Sequence, residues 1–272
     1  MAGQVGNTIN IPPMKKNLLL TKLKQATPVY GTCLTNLSAR WIRTVLPADL
    51  DFVFLDTEHI ATDRSGLSDA CWLLRSLGIT PIVRIANPDP FLATQALDAG
   101  ALGIVVPYLE TIEQLQAMAG AVKYRPLKGK VLADALADPT SLSESTLRYL
   151  EEYNEGHLLI ANIESGPALD NLAALVAHPA LDGVFVGPHD LSVNLGVAEQ
   201  YEHPVFLAAL EQIVHLTRTG EKHVGIQFWM EPDLQAQWMK KGVDMVIHSS
   251  DLSLFGQKLQ QDMQIIRAQG RP

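Results

Sequence analysis

Four stretches of the chain carry side chains that could do chemistry together: Asp56-Thr57-Glu58-His59, Arg84, Asn162-Ile163-Glu164 and Gly187-Pro188-His189-Asp190. Each stands at the end of a short apolar run or within one, where burying such groups is costly unless they pair or bind a metal. Glu164 and Asp190 are one β/α step apart, which places two carboxylates side by side. Oxygen-only ligation with positions left for water and substrate suits a hard divalent ion, Mg²⁺ or Mn²⁺, whereas Zn²⁺ more usually recruits His or Cys. The alternative is that each carboxylate caps the helix that follows it. His59 lies three positions after Asp56, close enough for that carboxylate to fix its tautomer and make it a general base. Arg84 would be the fixed positive charge for a substrate carboxylate or a developing enolate, because its planar fork binds such oxygens bidentately. The competing role for Arg84 is a structural pair with Glu58 or Asp56.

These groups need a scaffold that brings distant strand ends to one place. Eight strand-like runs alternate with helical patterns: residues 29–34, 52–56, 81–85, 103–107, 157–163, 183–187, 223–228 and 245–248. Such alternation is the signature of a parallel sheet covered on both faces. Eight β/α steps in about 250 residues predict an α/β fold, a single-domain (β/α)₈ TIM barrel spanning 29–272, with residues 1–28 as an N-terminal extension. No GxGxxG or GxxxxGK[ST] follows any strand, so a nucleotide is not expected. Punctuation supports the helices. Leu67, Ala70, Cys71 and Leu74 share a face before Gly78, Asp89-Pro90 can open a helix, and Thr111 with Gln114 fits a capping box. Ser165 precedes Pro167 and a helix to Val176. The stretch Arg125–Gly156 breaks the rhythm and reads as an elaborated loop after the fourth strand, holding a weak strand candidate at KVLADAL and a charged helix ending at Tyr153. Leu252–Ile266 reads as an extra C-terminal amphipathic helix.

Composition narrows the function. The 272 residues carry a formal net charge of -8, with 21 Lys and Arg against 29 Asp and Glu, so neither nucleic acid nor an anionic membrane is an expected partner. No apolar run reaches the roughly 18 to 20 residues that span a bilayer, and the N-terminus lacks a secretory or Arg-rich transit pattern, which predicts a cytoplasmic protein. Cys33 and Cys71 show no metal or disulfide spacing and read as buried small hydrophobes. No Lys lies in any of the eight runs, which argues against Schiff-base chemistry and leaves Lys128 and Lys130 as outside candidates. His189 and His248 stand where they could line a pocket.

The motifs FVFLDTEH, PIVRIA, LDAGA, GIVVPY, NIESGPAL and DGVFVGPHDLS, in this order from Val29 to Leu254, resemble those of the HpcH/HpaI aldolase family. That resemblance implies a metal-dependent class II aldolase acting on 2-keto acids, giving pyruvate and an aldehyde. It implies that Glu164 and Asp190 hold the metal, that Arg84 contacts the keto and enolate oxygen, and that His59, oriented by Asp56, is the base. It further implies that Asp98 reaches the site of a neighbouring subunit, in a homohexamer (a trimer of dimers) with exchanged C-terminal helices. Asn162, Gly187, Pro188 and His189 are expected to line the substrate beside Arg84. The chain departs from the family where an Arg-Gly motif is usual: it reads RPLKGKVLADAL, with Lys128 or Lys130 as candidates to replace that Arg. Asn162 also stands where Gln is common. A nearer alternative is oxaloacetate decarboxylation with carbon–carbon bond formation, as in the macrophomate synthase branch; a more distant one is a barrel without catalysis.

Overall fold

Runs of β-branched and other apolar residues four to six long form strands when both faces are covered, and all eight expected runs do so here. The computed structural model describes residues 19–228 and 232–270; most of the expected N-terminal extension, residues 1–18, lies outside them. The strands are β1 (Val29–Cys33), β2 (Phe52–Asp56), β3 (Thr80–Arg84), β4 (Gly103–Val106), β5 (Leu158–Ile163), β6 (Gly183–Val186), β7 (His223–Phe228) and β8 (Met245–Ser250). They pair in parallel and in chain order, and β8 closes on β1. The helices are α1 (Leu19–Lys24), α2 (Ala39–Ile42), α3 (Arg64–Leu77), α4 (Pro90–Asp98), α5 (Ile112–Lys123), α6 (Gly129–Ala137) and α7 (Glu144–Tyr153), then α8 (Gly166–Asp170), α9 (Leu172–Ala177), α10 (Pro188–Asn194), α11 (Pro204–Thr219), α12 (Pro232–Lys240) and α13 (Asp251–Gln269). The molecule is a (β/α)₈ barrel. Among the described residues no helix is long and apolar enough to cross a membrane.

Strand alternation divides the core in two. Val53, Val83, Ile104, Val184 and Ile226 face the helices, whereas Phe52, Phe54, Ile82, Ile160, Phe185 and Ile247 fill the barrel. Large rings inside need small partners. A Cβ on Gly31 would lie 2.5 Å from the Phe52 ring, and one on Gly225 would overlap the Phe185 ring. Leu19 and Leu23 of α1 join this inner cluster. Burial pushes the thiols of Cys33 and Cys71 up to about 12, so both stay protonated and serve as packing groups.

Three differences from the sequence expectation have physical reasons. The insertion follows α5 and leads into β5, while only residues 107–111 separate β4 from α5; Lys128 and Lys130 therefore do not sit on the loop leaving the fourth strand. KVLADAL is helical, because Leu132 and Leu136, four residues apart, both lie over Gly120 of α5. The helix after Ser165 breaks at Asn171 into α8 and α9; the Asn171 side chain donates instead to the Glu110 carbonyl at 2.8 Å.

The N-terminal rim of the barrel follows a repeated rule. Asp51, preceding β2, accepts from the Tyr30 amide at 2.9 Å and from Lys22 Nζ at 2.5 Å. Asp182, preceding β6, accepts from the Leu159 amide at 2.6 Å and pairs with Lys123 at 2.7 Å. Asp244, preceding β8, accepts from the Val224 amide at 2.9 Å and from Arg218 at 2.5 Å. In each case the amide belongs to the second residue of the preceding odd-numbered strand. Before β4 the residue is Leu102, and the second residue of β3 is Pro81, which has no N–H to offer. Asp182→Ala should therefore lower the free energy of unfolding in urea by about 1–3 kcal/mol by orphaning the Leu159 amide, whereas Leu102→Asp should bring no gain. An Asp182→Ala protein as stable as the parent would contradict the rule.

Candidate active site

The C-terminal ends of the strands converge on one mouth, and register decides what meets there. Asp56 and Arg84 are direct partners in the β2–β3 ladder, both inward-facing and nearly buried. Arg84 donates to Asp56 through Nε at 2.9 Å and Nη2 at 2.6 Å. Burial would push the Asp56 carboxyl up, but the hydrogen bonds and charge of Arg84 outweigh it and hold the group below its usual value. The same carboxylate accepts the Glu58 amide at 3.0 Å and, more weakly, the His59 amide at 3.5 Å, which fixes the turn leaving β2.

Asp56 thus orients Arg84 and the backbone, not the His59 ring. The ring stands largely exposed with Nε2 3.7 Å from Glu58 Oε2. Glu58 is itself enclosed: its Oε2 is 3.2 Å from Arg84 Nε, yet that oxygen is buried without a hydrogen bond. Burial holds the Glu58 carboxyl above the ordinary carboxylate range. Both readings of Arg84 meet here, because the guanidinium is clamped by two carboxylates and still has N–H groups beyond the two used on Asp56.

Glu164, one residue past β5, is 1% exposed. Its Oε1 accepts the Tyr108 amide at 2.9 Å and its Oε2 accepts Asn162 Nδ2 at 2.5 Å. Tyr108, just past β4, adopts φ 48°, a left-handed conformation uncommon for a non-glycine residue. Gly187 gives Glu164 its space, since a Cβ there would stand 2.9 Å from Glu164 Oε2. Asn194 of α10 donates to the carbonyls of Glu164 at 3.1 Å and Asp190 at 3.0 Å, tying the two candidate ligands into one frame. Tyr108 and Asn194 were not singled out from sequence. Burial, with added repulsion from Asp190 and Glu58, pushes the Glu164 carboxyl up to about 7.

Four carboxylates therefore share a mouth whose described cation is Arg84. Among the described residues no group of three or more His, Cys, Asp or Glu side chains gathers for a metal, so Glu164 and Asp190 would be a pair of carboxylate ligands rather than part of a larger set. Glu164 and Asp190, hard donors crowded by like charge, fit Mg²⁺ or Mn²⁺ on that basis.

The other expected residues lie apart. Asp98 is exposed on α4 and paired with Arg125. With Lys128 it lines an outer cavity of about 590 Å³ between α4, α5 and α6. Lys130 pairs with Asp134 at 2.9 Å along α6. Among the described residues no hydrogen bond or ion pair links Asp98, Lys128 or Lys130 to Glu164, Asp190 or His59. His189 is exposed beside Glu199 at 3.4 Å, Pro188 is buried at the start of α10, and His248 is held by Gln235 of α12 at 2.6 Å.

Residues 33–257 match the sequence pattern of the HpcH/HpaI aldolase/citrate lyase family. The chain is 28% identical over 250 residues to a 2-dehydro-3,6-dideoxy-6-sulfogluconate aldolase of Pseudomonas putida, covering 92% of this chain and 97% of that one. It is 32% identical over 214 residues to a hydroxypyruvate/pyruvate aldolase of Pseudomonas aeruginosa, covering 79% of each. Its fold superposes on the crystal structure of an HpcH/HpaI aldolase from Desulfitobacterium hafniense DCB-2 with a TM-score of 0.80, at 24% identity, covering 92% of this chain and 96% of that one.

A raised carboxyl pKa in the fold means the unfolded chain ionises first. In chelator, the contribution of Glu164 to stability should be fully present below pH about 4.5 and be lost as pH rises to about 7, by up to about 3 kcal/mol. Glu164→Gln should flatten that fall; equal slopes for the two proteins in urea unfolding at pH 5 and 8 would exclude the buried charge as its source.

Proposed function

Since the chain belongs to the HpcH/HpaI aldolase/citrate lyase family and is accordingly a carbon–carbon lyase of the aldolase kind, we propose that it cleaves or forms a 4-hydroxy-2-keto acid. The products of cleavage are pyruvate and an aldehyde, and the reaction depends on a divalent metal. The observation that carries this reading is the buried Glu164 carboxylate, crowded by Asp190 and Glu58 at the same mouth as a clamped Arg84.

Glu164 and Asp190 would hold Mg²⁺ or Mn²⁺, which as a Lewis acid supplies stabilisation for negative charge developing on the keto oxygen. Arg84 acts on the same oxygen. Its Nε and one Nη2 hydrogen are fixed on Asp56, so its remaining N–H groups point in a set direction and lose little freedom when an oxygen arrives. His59 takes the proton of the C4 hydroxyl, directly or through one water; the C3–C4 bond breaks, and its electron pair passes to C2–O as pyruvate enolate while the C4 fragment leaves as aldehyde. Proton delivery to C3 then gives pyruvate. Glu58 Oε2 faces the imidazole that takes the hydroxyl proton, 3.7 Å from its Nε2. Asn162 holds Glu164 in place, and Gly187 with Pro188 shapes the floor for the pyruvate unit; His189 stands at the rim. Asp98 belongs to this reaction only if a second subunit brings it to the mouth, so the proposal includes an oligomer, a hexamer with α13 exchanged. In this chain α13 leaves Leu252, Leu254, Phe255, Leu259 and Ile266 exposed, which supports a partner for that face.

Pyruvate release from a 4-hydroxy-2-keto acid, followed in a coupled assay, should vanish with chelator and return with Mg²⁺ or Mn²⁺. Glu164→Gln should lose at least about 10²-fold in kcat, more than His59→Ala at about 10²-fold or less if water substitutes as base. Turnover that ignores chelator would rule out the scheme. Release of CO₂ from oxaloacetate outpacing aldol cleavage would favour the decarboxylating alternative.

A further inference from the structure

Inside the barrel, near its mouth, lies a polar side chain that the proposed mechanism does not use: Gln227 of β7. Val224, Ile226 and Phe228 of β7 face the helices, so Gly225 and Gln227 face inward; Gly225 indeed abuts the Phe185 ring inside the barrel. Gln227 is thus the inward residue of β7 nearest the mouth. Its Nε2 is buried and has no hydrogen-bond partner among the described residues. Burying an amide donor without an acceptor is unfavourable, and its β8 neighbour in register, Ile247, offers only a hydrocarbon side chain.

Register also says what lies on its other side. Ile163 pairs with Val186, and Val186 with Ile226; one step further, Glu164, Gly187 and Gln227 form a row across β5, β6 and β7. Adjacent strands are about 4.8 Å apart, so the backbones at Glu164 and Gln227 are about 10 Å apart. Gly187, between them, contributes no side chain. The orphaned amide therefore borders the space beside Glu164, on the flank of the mouth away from Arg84 on β3.

Resting on the aldolase reading above, we propose that Gln227 is a specificity-determining residue whose amide hydrogen-bonds a hydroxyl on the aldehyde half of the substrate. An amide both donates and accepts, which matches a hydroxyl. The preferred aldehyde is then a hydroxylated one, and its deoxy counterpart leaves the amide unpaired.

Glycolaldehyde and propanal differ by a hydroxyl in place of a methyl group, and each can be condensed with pyruvate by the full-length protein with Mg²⁺. Wild type should prefer glycolaldehyde in kcat/KM. In Gln227→Leu and in Gln227→Met, the ratio of the two constants should fall by about tenfold or more. Because the ratio is internal to each protein, a partly inactive preparation does not distort it, and the second variant serves if the first fails to fold. A ratio within twofold of wild type, or a wild type that prefers propanal, overturns the assignment. Exchange of the pyruvate C3 hydrogens with D₂O by the wild type, read by NMR, tests the aldolase reading separately: its absence defeats that reading, while its presence with an unchanged ratio defeats only the role of Gln227.

Discussion

The mouth of this barrel is organised around one buried negative charge. Glu164 gives up nearly all contact with water, and what it receives in return, one backbone amide and one side-chain amide, does not offset burial and the repulsion of two further carboxylates. A group so placed is either protonated or waiting for a cation. Nearby structure prevents the simpler escape of swinging outward. Asn194 ties down its backbone, Asn162 and the left-handed Tyr108 hold its two oxygens, and the missing side chain of Gly187 makes the room it occupies.

Carboxylates do opposite work at the two ends of the same strands. Before β2, β6 and β8, aspartates accept from main-chain amides and meet a basic side chain within the chain itself. After β2, β5 and β6 the carboxylates outnumber the cations. The first arrangement is closed and contributes to folding; the second is open and gains from a ligand. This division is the one that barrels of this type show between their stability face and their reactive face, and here it is drawn with the same carboxylate group.

Much of this was legible before any coordinates. Parallel strands covered on both faces read as continuous apolar runs, so all eight were found, as were the Asp89 and Thr111 caps. The one-step spacing of Glu164 and Asp190 survived because strand order in a barrel follows chain order. What stayed hidden shares a cause. Asp56 ends β2 and Glu58 lies in the turn after it, and spacing alone cannot say that both meet Arg84 while Glu58 is the one beside the imidazole. Tyr108 acts through its backbone amide, and that amide's direction is not encoded in residue type. KVLADAL is short and apolar, a pattern that fits helix and strand alike. Gln227 looks like an interruption in an apolar run until register shows what it borders.

The exception at β3 and β4 carries a consequence for how such a barrel tolerates change. Where Pro81 removes a main-chain hydrogen, the position opposite is released to become Leu102. The constraint on an acidic side chain at 51, 182 or 244 is therefore imposed by a neighbour's nitrogen, whatever side chain that neighbour bears. Residues 30, 159 and 224 can vary widely without relaxing it, whereas an imino acid at one of them would leave its acidic partner to its basic neighbour alone.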